Sequence, residues 1–502
     1  MMHQDDEPNK SHAAGEDSAG GDDPGRVLSR RQFLKIAGMA GATVGMAGGL
    51  GGLLAGCAEE AETTTTAGPT STAAATTTTA GATTTIAPVT TTTAAAGPQK
   101  GTPIKLGVVA PKTGGLAFFS IASDWWLDLA KNALKDGIIA GDKKLRNIEF
   151  LIEDSQSDTA RAAQVAAGLI SDRKVNLIMS FGSPDTVVPV SDQAEALGCP
   201  SIGTNCPWQS FTEGRGMPKE GFKWTYLFGL GSEQTMINFT EMFDQVPNNK
   251  VVGMLFANDI DAQGWMAENA APKILGDKGY KLVVPSFYPP GAEDFTQQIS
   301  MFKKEGCDIV CGTNNPPEFT NFWKQCYQQG FRPKLVSSGK CLLFPETLQA
   351  FGEIGYGLIG EVAFHPVSWP FVDAITGMDC AELAADYETK TGNQWTQVIG
   401  TYTNAQWAVD VFKRATDPED PESVVQAIRT TKLETVHGQI DYTAPVDTSV
   451  ESLRPSPNIC KQCYAGGQWV RGDKYPFDLV VCSVAQAPGC KVQAKTQPMQ
   501  YT

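Results

Sequence analysis

Several groups of residues in this 502-residue chain have types and spacings that could do chemistry. Ser171-Asp-Arg-Lys174 and Ser337-Ser-Gly-Lys340 share the S-x-x-K spacing, which sets an amine beside a hydroxyl nucleophile, and Lys112-Thr-Gly114 forms a K-T-G triplet. Together they would be a Ser–Lys acyl-transfer site. Their order is wrong for it, however, because K-T-G comes first, and Ser191-Asp-Gln193 only approximates the expected middle motif. A Ser–His–Asp relay needs a positioned imidazole base. The four histidines are His3, His12, His365 and His437, and no G-x-S-x-G elbow accompanies them. A histidine-based metal site is similarly short of ligands. No G-x-x-x-x-G-K-[ST] loop is present to cradle a phosphate. Cys460-Lys-Gln-Cys463 reads either as a redox or zinc C-x-x-C or, with Cys482 and Cys490 nearby, as part of a disulfide-stapled tail.

A different chemistry is written between Ser29 and Cys57. Arg30 and Arg31, followed by Phe33, Leu34 and Lys35, lead into a Gly- and Ala-rich apolar run that ends at Leu54-Ala-Gly-Cys57. The segment resembles a twin-arginine export signal joined to a lipoprotein cleavage box, which would leave the Cys57 thiol to carry lipid. The other reading is a transmembrane helix, since the run is about long enough to cross a bilayer. Abundant glycine disfavours that helix. The resemblance places everything after Cys57 outside the cytoplasm, lipid-anchored to the cell membrane. It also implies a body that folds before export, and so before any disulfide forms.

Net charge is −15, part of it in an acidic stretch ahead of Arg30. Such a balance argues against nucleic acid, whose phosphates need a basic face. Twelve cysteines suit an oxidising compartment. Cys199 with Cys206, and Cys326 with Cys341, are candidate bridges, whereas Cys307 and Cys311 flank a strand and lie too far apart.

The organisation read from composition is a signal over residues 1–57 and a Thr/Ala-rich tether over 58–102, which cannot bury a core. A folded body follows. Buried-strand patterns at 104–109, 148–152, 177–179 and 200–202 alternate with helical periodicity at 124–136, 158–170 and 187–197. After Gly229 a second set begins, with strands at 251–256, 281–285, 308–311 and 334–338 and helices at 265–278, 295–305 and 317–329. The fold class expected is α/β: two lobes, each a mostly parallel sheet flanked by helices, with a ligand cleft between them.

Residues 103 to about 415 resemble the type I periplasmic solute-binding proteins of ABC importers, in their branched-chain amino-acid-binding branch. The resemblance is carried by Ile104-Lys-Leu-Gly-Val-Val-Ala-Pro-Lys-Thr-Gly114, Glu153-Asp154 with Asp158, Ser183 to Glu195, Ser201-Ile-Gly-Thr-Asn205, Asn258-Asp259 with Gly264, Gly312 to Glu318, and Thr401-Tyr402. It implies lobe 1 over 103–226, lobe 2 over 227–365, a return to lobe 1 over 366–450, and a Cys-containing tail over 451–502 that departs from the pattern. It also implies a monomer without a cofactor that closes on a small solute and hands it to a permease and ATPase. A ligand-sensing receptor component of the same fold is the alternative, and an exported serine hydrolase a more distant one.

By the same resemblance, ligand contacts fall at Phe118 or Phe119, at Ser183, and at Thr204 and Asn205 in the first lobe. In the second they fall at Asp261, Gln263, Asn314, Asn315 and Lys340. Amino-acid binders often carry aromatic groups where this chain has amides, and an acid where it has Lys340. A lysine there would repel an ammonium and attract a carboxylate. The expected solute is therefore a small organic acid or amide, or an amino-acid-like compound other than a plain branched-chain amino acid.

Overall fold

The computed structural model describes residues 97–212, 215–216, 220–268, 270–444 and 457–501. The export signal with Arg30 and Arg31, the lipidation site Cys57 and most of the tether lie outside the described residues.

The strands run in chain order as β1 (Ile104–Ala110), a short antiparallel pair β2 (Ile138–Ile139) and β3 (Leu145–Arg146), then β4 (Ile148–Asp154), β5 (Leu177–Ser180), β6 (Ser201–Thr204) and β7 (Thr225–Gly229). The second set is β8 (Val251–Phe256), β9 (Lys281–Val283), β10 (Ile309–Asn314), β11 (Leu335–Lys340) and β12 (Ile359–Val362). A hairpin, β13 (Lys432–Thr435) and β14 (Gly438–Asp441), precedes β15 (Ile459–Lys461), β16 (Ala465–Arg471) and β17 (Phe477–Ser483). The first sheet has the order β15-β7-β6-β5-β1-β4 and is parallel throughout. The second has the order β17-β16-β12-β11-β10-β8-β9, with an antiparallel edge at β16 and β17. Helices cover both faces, so β1 reads as a near-continuous apolar run with no polar side to show to water.

Local signals explain most helix starts. Asp158 accepts from the Arg161 amide at 2.7 Å and caps helix Thr159–Ser171. Helix Pro184–Leu197 begins a turn before its apolar periodicity because Pro184 occupies the first turn, where a missing N–H costs nothing. The expected helix over 265–278 is instead two pieces, Ile260–Trp265 and Ala271–Asp277. Pro272 suits only a helix start, so it opens a new helix there.

The C-terminal segment is the main departure from the expected organisation. It is built into the fold: β15 extends the first sheet beside β7, and β16 with β17 completes the second. The chain therefore passes between the sheets after β7, after β12, and again between β15 and β16. Neither Cys199 with Cys206 nor Cys326 with Cys341 is bonded, and all eleven described cysteines are free thiols in this structure.

Candidate functional site

Parallel sheets gather the loops that follow their strands at one edge, and ligands bind there. In the first sheet, the turn after β1 carries Phe118 and Phe119, and the loop after β5 carries Ser183 and Asp185. The end of β6 carries Thr204 and Asn205. In the second sheet, Asp259 and Asp261 follow β8, Thr313 stands near the end of β10, Lys340 ends β11, and Glu361 lies on β12. Asn205 and Lys340 have φ of 55° and 58°, a left-handed backbone that non-glycine residues adopt at some cost. The chain thus turns sharply at the mouth of each sheet.

Lys340 is the centre of a buried charge cluster. Its Nζ lies 3.1 Å from Asp261 Oδ2, 3.3 Å from Asp259 Oδ2 and 3.8 Å from Asp185 Oδ2. The last of these contacts spans the cleft from one sheet's loops to the other's. The Lys340 backbone N–H donates to Glu361 Oε2 at 3.1 Å. Thr313 Oγ1 donates to Asp261 Oδ2 at 2.8 Å, and Thr235 Oγ1 to Glu361 Oε1 at 3.1 Å.

Three carboxylates thus meet the Lys340 ammonium and a fourth, Glu361, meets its backbone N–H, and burial raises Asp185, Asp261 and Glu361. It pushes the Asp261 carboxyl up to about 6 against the pull of Lys340, with Asp259 adding to the rise. It pushes Glu361 up to about 7 despite the Lys340 N–H. Asp185 is also raised by burial, against Lys340. Burial alone would lower the Lys340 ammonium, but Asp259, Asp261 and Asp185 outweigh it and hold it charged. Asp261 is 2% exposed, and its Oδ1 has no hydrogen-bond partner.

Between the sheets lies a cavity of about 30 Å³. That is enough for one or two waters. Of the expected contact residues, Phe119, Ser183, Asn205, Asp261 and Lys340 line it. Phe118 stands one step back and packs with Phe119 on Phe344 of the other lobe, at centroid distances of 5.5 and 5.1 Å.

The remaining expected residues are placed elsewhere. Thr204 accepts from Asn404 at 2.7 Å, behind the wall. Asn314 is consumed inside the second lobe by the Leu255 carbonyl, the Tyr288 hydroxyl and Ser338. Asn315 sits at the N-cap of helix Pro316–Gln328, and Gln263 is exposed on the outer face of its helix. Lys340, expected to attract a carboxylate, is already paired with three aspartates.

The sequence reading missed Thr313, Glu361, Gln397 and Tyr464, and passed over Asp185 and Asp259. Gln397 clamps the end of β12 by accepting from Ala363 N at 2.8 Å and donating to the Glu361 carbonyl at 2.9 Å. Gly339 is a signal that could have revealed Glu361. A Cβ there would stand 2.8 Å from Trp265 Cζ2 and 3.0 Å from Glu361 Oε1, so only glycine lets both lie over β11.

The nucleophile candidates find no machinery. Ser337 Oγ donates to the Val310 carbonyl at 3.2 Å, and Lys112 pairs with Asp124 on the surface. His365 Nδ1 accepts from the Val367 and Ser368 amides, while its Nε2 meets the Leu479 carbonyl, so both nitrogens brace the crossing after β12. Among the described residues no cluster of three or more His, Cys, Asp or Glu is arranged to hold a metal.

Residues 103–455 match the periplasmic binding protein family, which is more than half of the chain. The chain belongs to that family. Residues 27–47 match the twin-arginine translocation signal, which indicates export from the cytoplasm. Solved structures of similar fold include a leucine-binding protein from Thermotoga maritima. It is 19% identical, the match covers 77% of this chain and 99% of that one, and the TM-score is 0.61. A branched-chain amino acid transporter substrate-binding protein from Streptococcus pneumoniae, in complex with isoleucine, is 18% identical over 76% and 99% of the two chains at a TM-score of 0.57. An ABC transporter solute-binding protein from R. palustris, in complex with 4-hydroxybenzoate, is 18% identical over 75% and 95% at 0.60. These neighbours and the family are binding proteins, not enzymes. The chain is thus a periplasmic binding protein that carries a twin-arginine export signal and has the type I α/β fold. Among the described residues no helix is long and apolar enough to cross a membrane.

Proposed function

We infer that this binding protein is tethered by lipid on Cys57, captures a small solute bearing a positively charged nitrogen, and delivers it to an ABC permease driven by its ATPase. The observation that carries the solute class is Asp261 Oδ1, a buried and unpartnered carboxylate oxygen on the cavity wall. Around it, Asp185, Asp259, Asp261 and Glu361 outnumber the single ammonium of Lys340. A cation entering there relieves mutual carboxylate repulsion and gains charge-assisted hydrogen bonds, whereas an anion meets the surplus. Ser183, Asn205 and Gln397 offer neutral groups for an amide or amino-acid-like remainder, and Phe119 and Trp265 form the apolar wall. Lys340, already paired with Asp185, Asp259 and Asp261, has no unpaired charge for an organic acid. A solute larger than two waters enters when the lobes part, the hinge motion open to two-lobed binders.

The test is a thermal-shift screen of matched sets, each an amine-bearing solute, its amide and its deaminated acid, with mass spectrometry of any solute retained through gentle purification. Amine-bearing members should raise the melting temperature and lose that effect in Asp261→Asn. Equal or stronger stabilisation by 4-hydroxybenzoate or the deaminated acids would overturn the reading.

A further inference from the structure

The body is expected to fold before any disulfide forms, and one pair of cysteines meets at the place where the chain changes lobes. Cys463 lies between β15, in the first sheet, and β16, in the second. Its Sγ is 3.5 Å from Cys490 Sγ, the one thiol–thiol hydrogen bond among the described residues. The other thiols nearby point at carbonyls: Cys380 toward Phe371 and Val436, and Cys460 toward Gln439.

Both partners are held in place by backbone. The Cys463 N–H donates to the His437 carbonyl at 3.1 Å, and Gly438, at φ 109°, comes so close that a Cβ there would stand 3.0 Å from Cys463 Cβ. Cys490 belongs to the loop after β17, where its N–H donates to the Ala487 carbonyl at 3.1 Å. On one side of that loop the Gln486 carbonyl accepts from Tyr464 N at 3.0 Å, and on the other Lys491 N donates to the Ser368 carbonyl at 3.3 Å. Ser368 belongs to the crossing that follows β12. The Cys490 loop therefore bridges two of the three inter-lobe crossings.

We propose that Cys463 and Cys490 become joined by a disulfide once the chain is outside the cytoplasm, pinning one lobe crossing to the loop that rests on another. Cys490 is part-exposed and Cys463 is buried, so an extracytoplasmic protein disulfide oxidant reaches Cys490 first. A mixed disulfide forms at Cys490 and frees one of the oxidant's thiols. The Cys463 sulfur, its proton passing to water, then attacks Cys490 Sγ and releases the oxidant's second sulfur as a thiolate, which is reprotonated. Two thiols are oxidised and one disulfide is reduced. The sulfurs have to close from 3.5 Å to a bond of about 2.05 Å. The consequence is a hinge whose crossings move together, whichever solute the cleft holds.

The test uses the full chain, exported by its own signal, against a cytoplasm-retained Arg30→Lys/Arg31→Lys variant. Free thiols are alkylated in denaturant without reductant, and the digests are mapped by mass spectrometry. The exported protein should yield a Cys463–Cys490 linked peptide pair and the retained one should not. Reductant should lower the melting temperature of the exported form by about 5 °C. A Cys463→Ser/Cys490→Ser variant should already sit at the lower value and ignore reductant. Alkylation of both thiols in the exported protein, or linkage of either to Cys380 or Cys460, would overturn the proposal. If the double variant fails to fold, the peptide map of the natural chain still decides.

Discussion

The two lobes meet the cleft with different chemistry although their sheets are built alike. Each has a parallel core, and each turns a non-glycine residue through positive φ at a strand end, Asn205 in one and Lys340 in the other. The first lobe offers mainly neutral groups, Ser183 and Asn205, with Asp185 its one charge in the cluster. The second offers Asp259, Asp261, Lys340 and Glu361. Like scaffolds therefore leave room for unlike roles: the first lobe supplies hydrogen-bonding shape and the second supplies the field. A field of that kind has a folding cost, because buried charges tolerate the loss of a partner poorly.

The largest expected difference between the lobes follows from that cost. Lys340→Met strands Asp185, Asp259 and Asp261 without their cation and should destabilise by about 3–5 kcal/mol. Ser183→Ala removes one hydroxyl donating at 3.2 Å to Asp185 and should cost no more than about 1 kcal/mol. Urea unfolding of both variants measures the gap, and equal costs would break the comparison.

Next in size are opposite responses to pH. Glu361 in the second lobe titrates near 7 when folded, above its ordinary 4.5, so the native state holds its proton more tightly than the unfolded chain does. Stability from this group is full below about pH 4.5 and is lost as pH rises through 7, about 3 kcal/mol in all. His437, in the β13–β14 turn, is buried with both ring nitrogens unpartnered, and burial lowers it to about 3. It resists protonation in the fold, so its contribution is present above about pH 6.5 and is lost as pH falls toward 3. Relative to the natural chain, Glu361→Gln should gain stability as pH rises from 4.5 to 7, and His437→Gln as pH falls from 6.5. Unfolding midpoints across pH 4–8 check both slopes, and parallel slopes would refute the contrast.

A smaller effect concerns packing. Gly203→Ala would press on Val187 Cγ1 at 2.9 Å in the first lobe, and Gly339→Ala on Trp265 and Glu361 in the second. Both should cost about 1–3 kcal/mol, but only Gly339→Ala should also weaken solute binding, which calorimetry separates. Smallest of all, Gln263→Ala should change neither stability by more than about 0.5 kcal/mol nor affinity, since the side chain faces solvent.

Much of this was legible in the chain. Strands β1, β4, β8 and β10, and the Asp158 cap, follow from short-range periodicity and side-chain chemistry that act within a few residues. Helix 265–278 was misread because its apolar spacing masked the break before Pro272. The C-terminal segment was misread because strand pairing is non-local: nothing near Ile459 announces β7, and nothing near Ala465 announces β12.

The same division runs through the site. The sequence by itself determined the family, the export address, the two alternating α/β sets and the presence of Lys340 at a cleft position, since each depends on order and spacing along the chain. Only the tertiary structure decided what Lys340 means. Asp185 arrives from the first lobe and Asp259 and Asp261 from another loop of the second, and Coulomb energy depends on distance in space, not along the chain. The same holds for Cys463 and Cys490, distant along the chain and brought into contact by the fold.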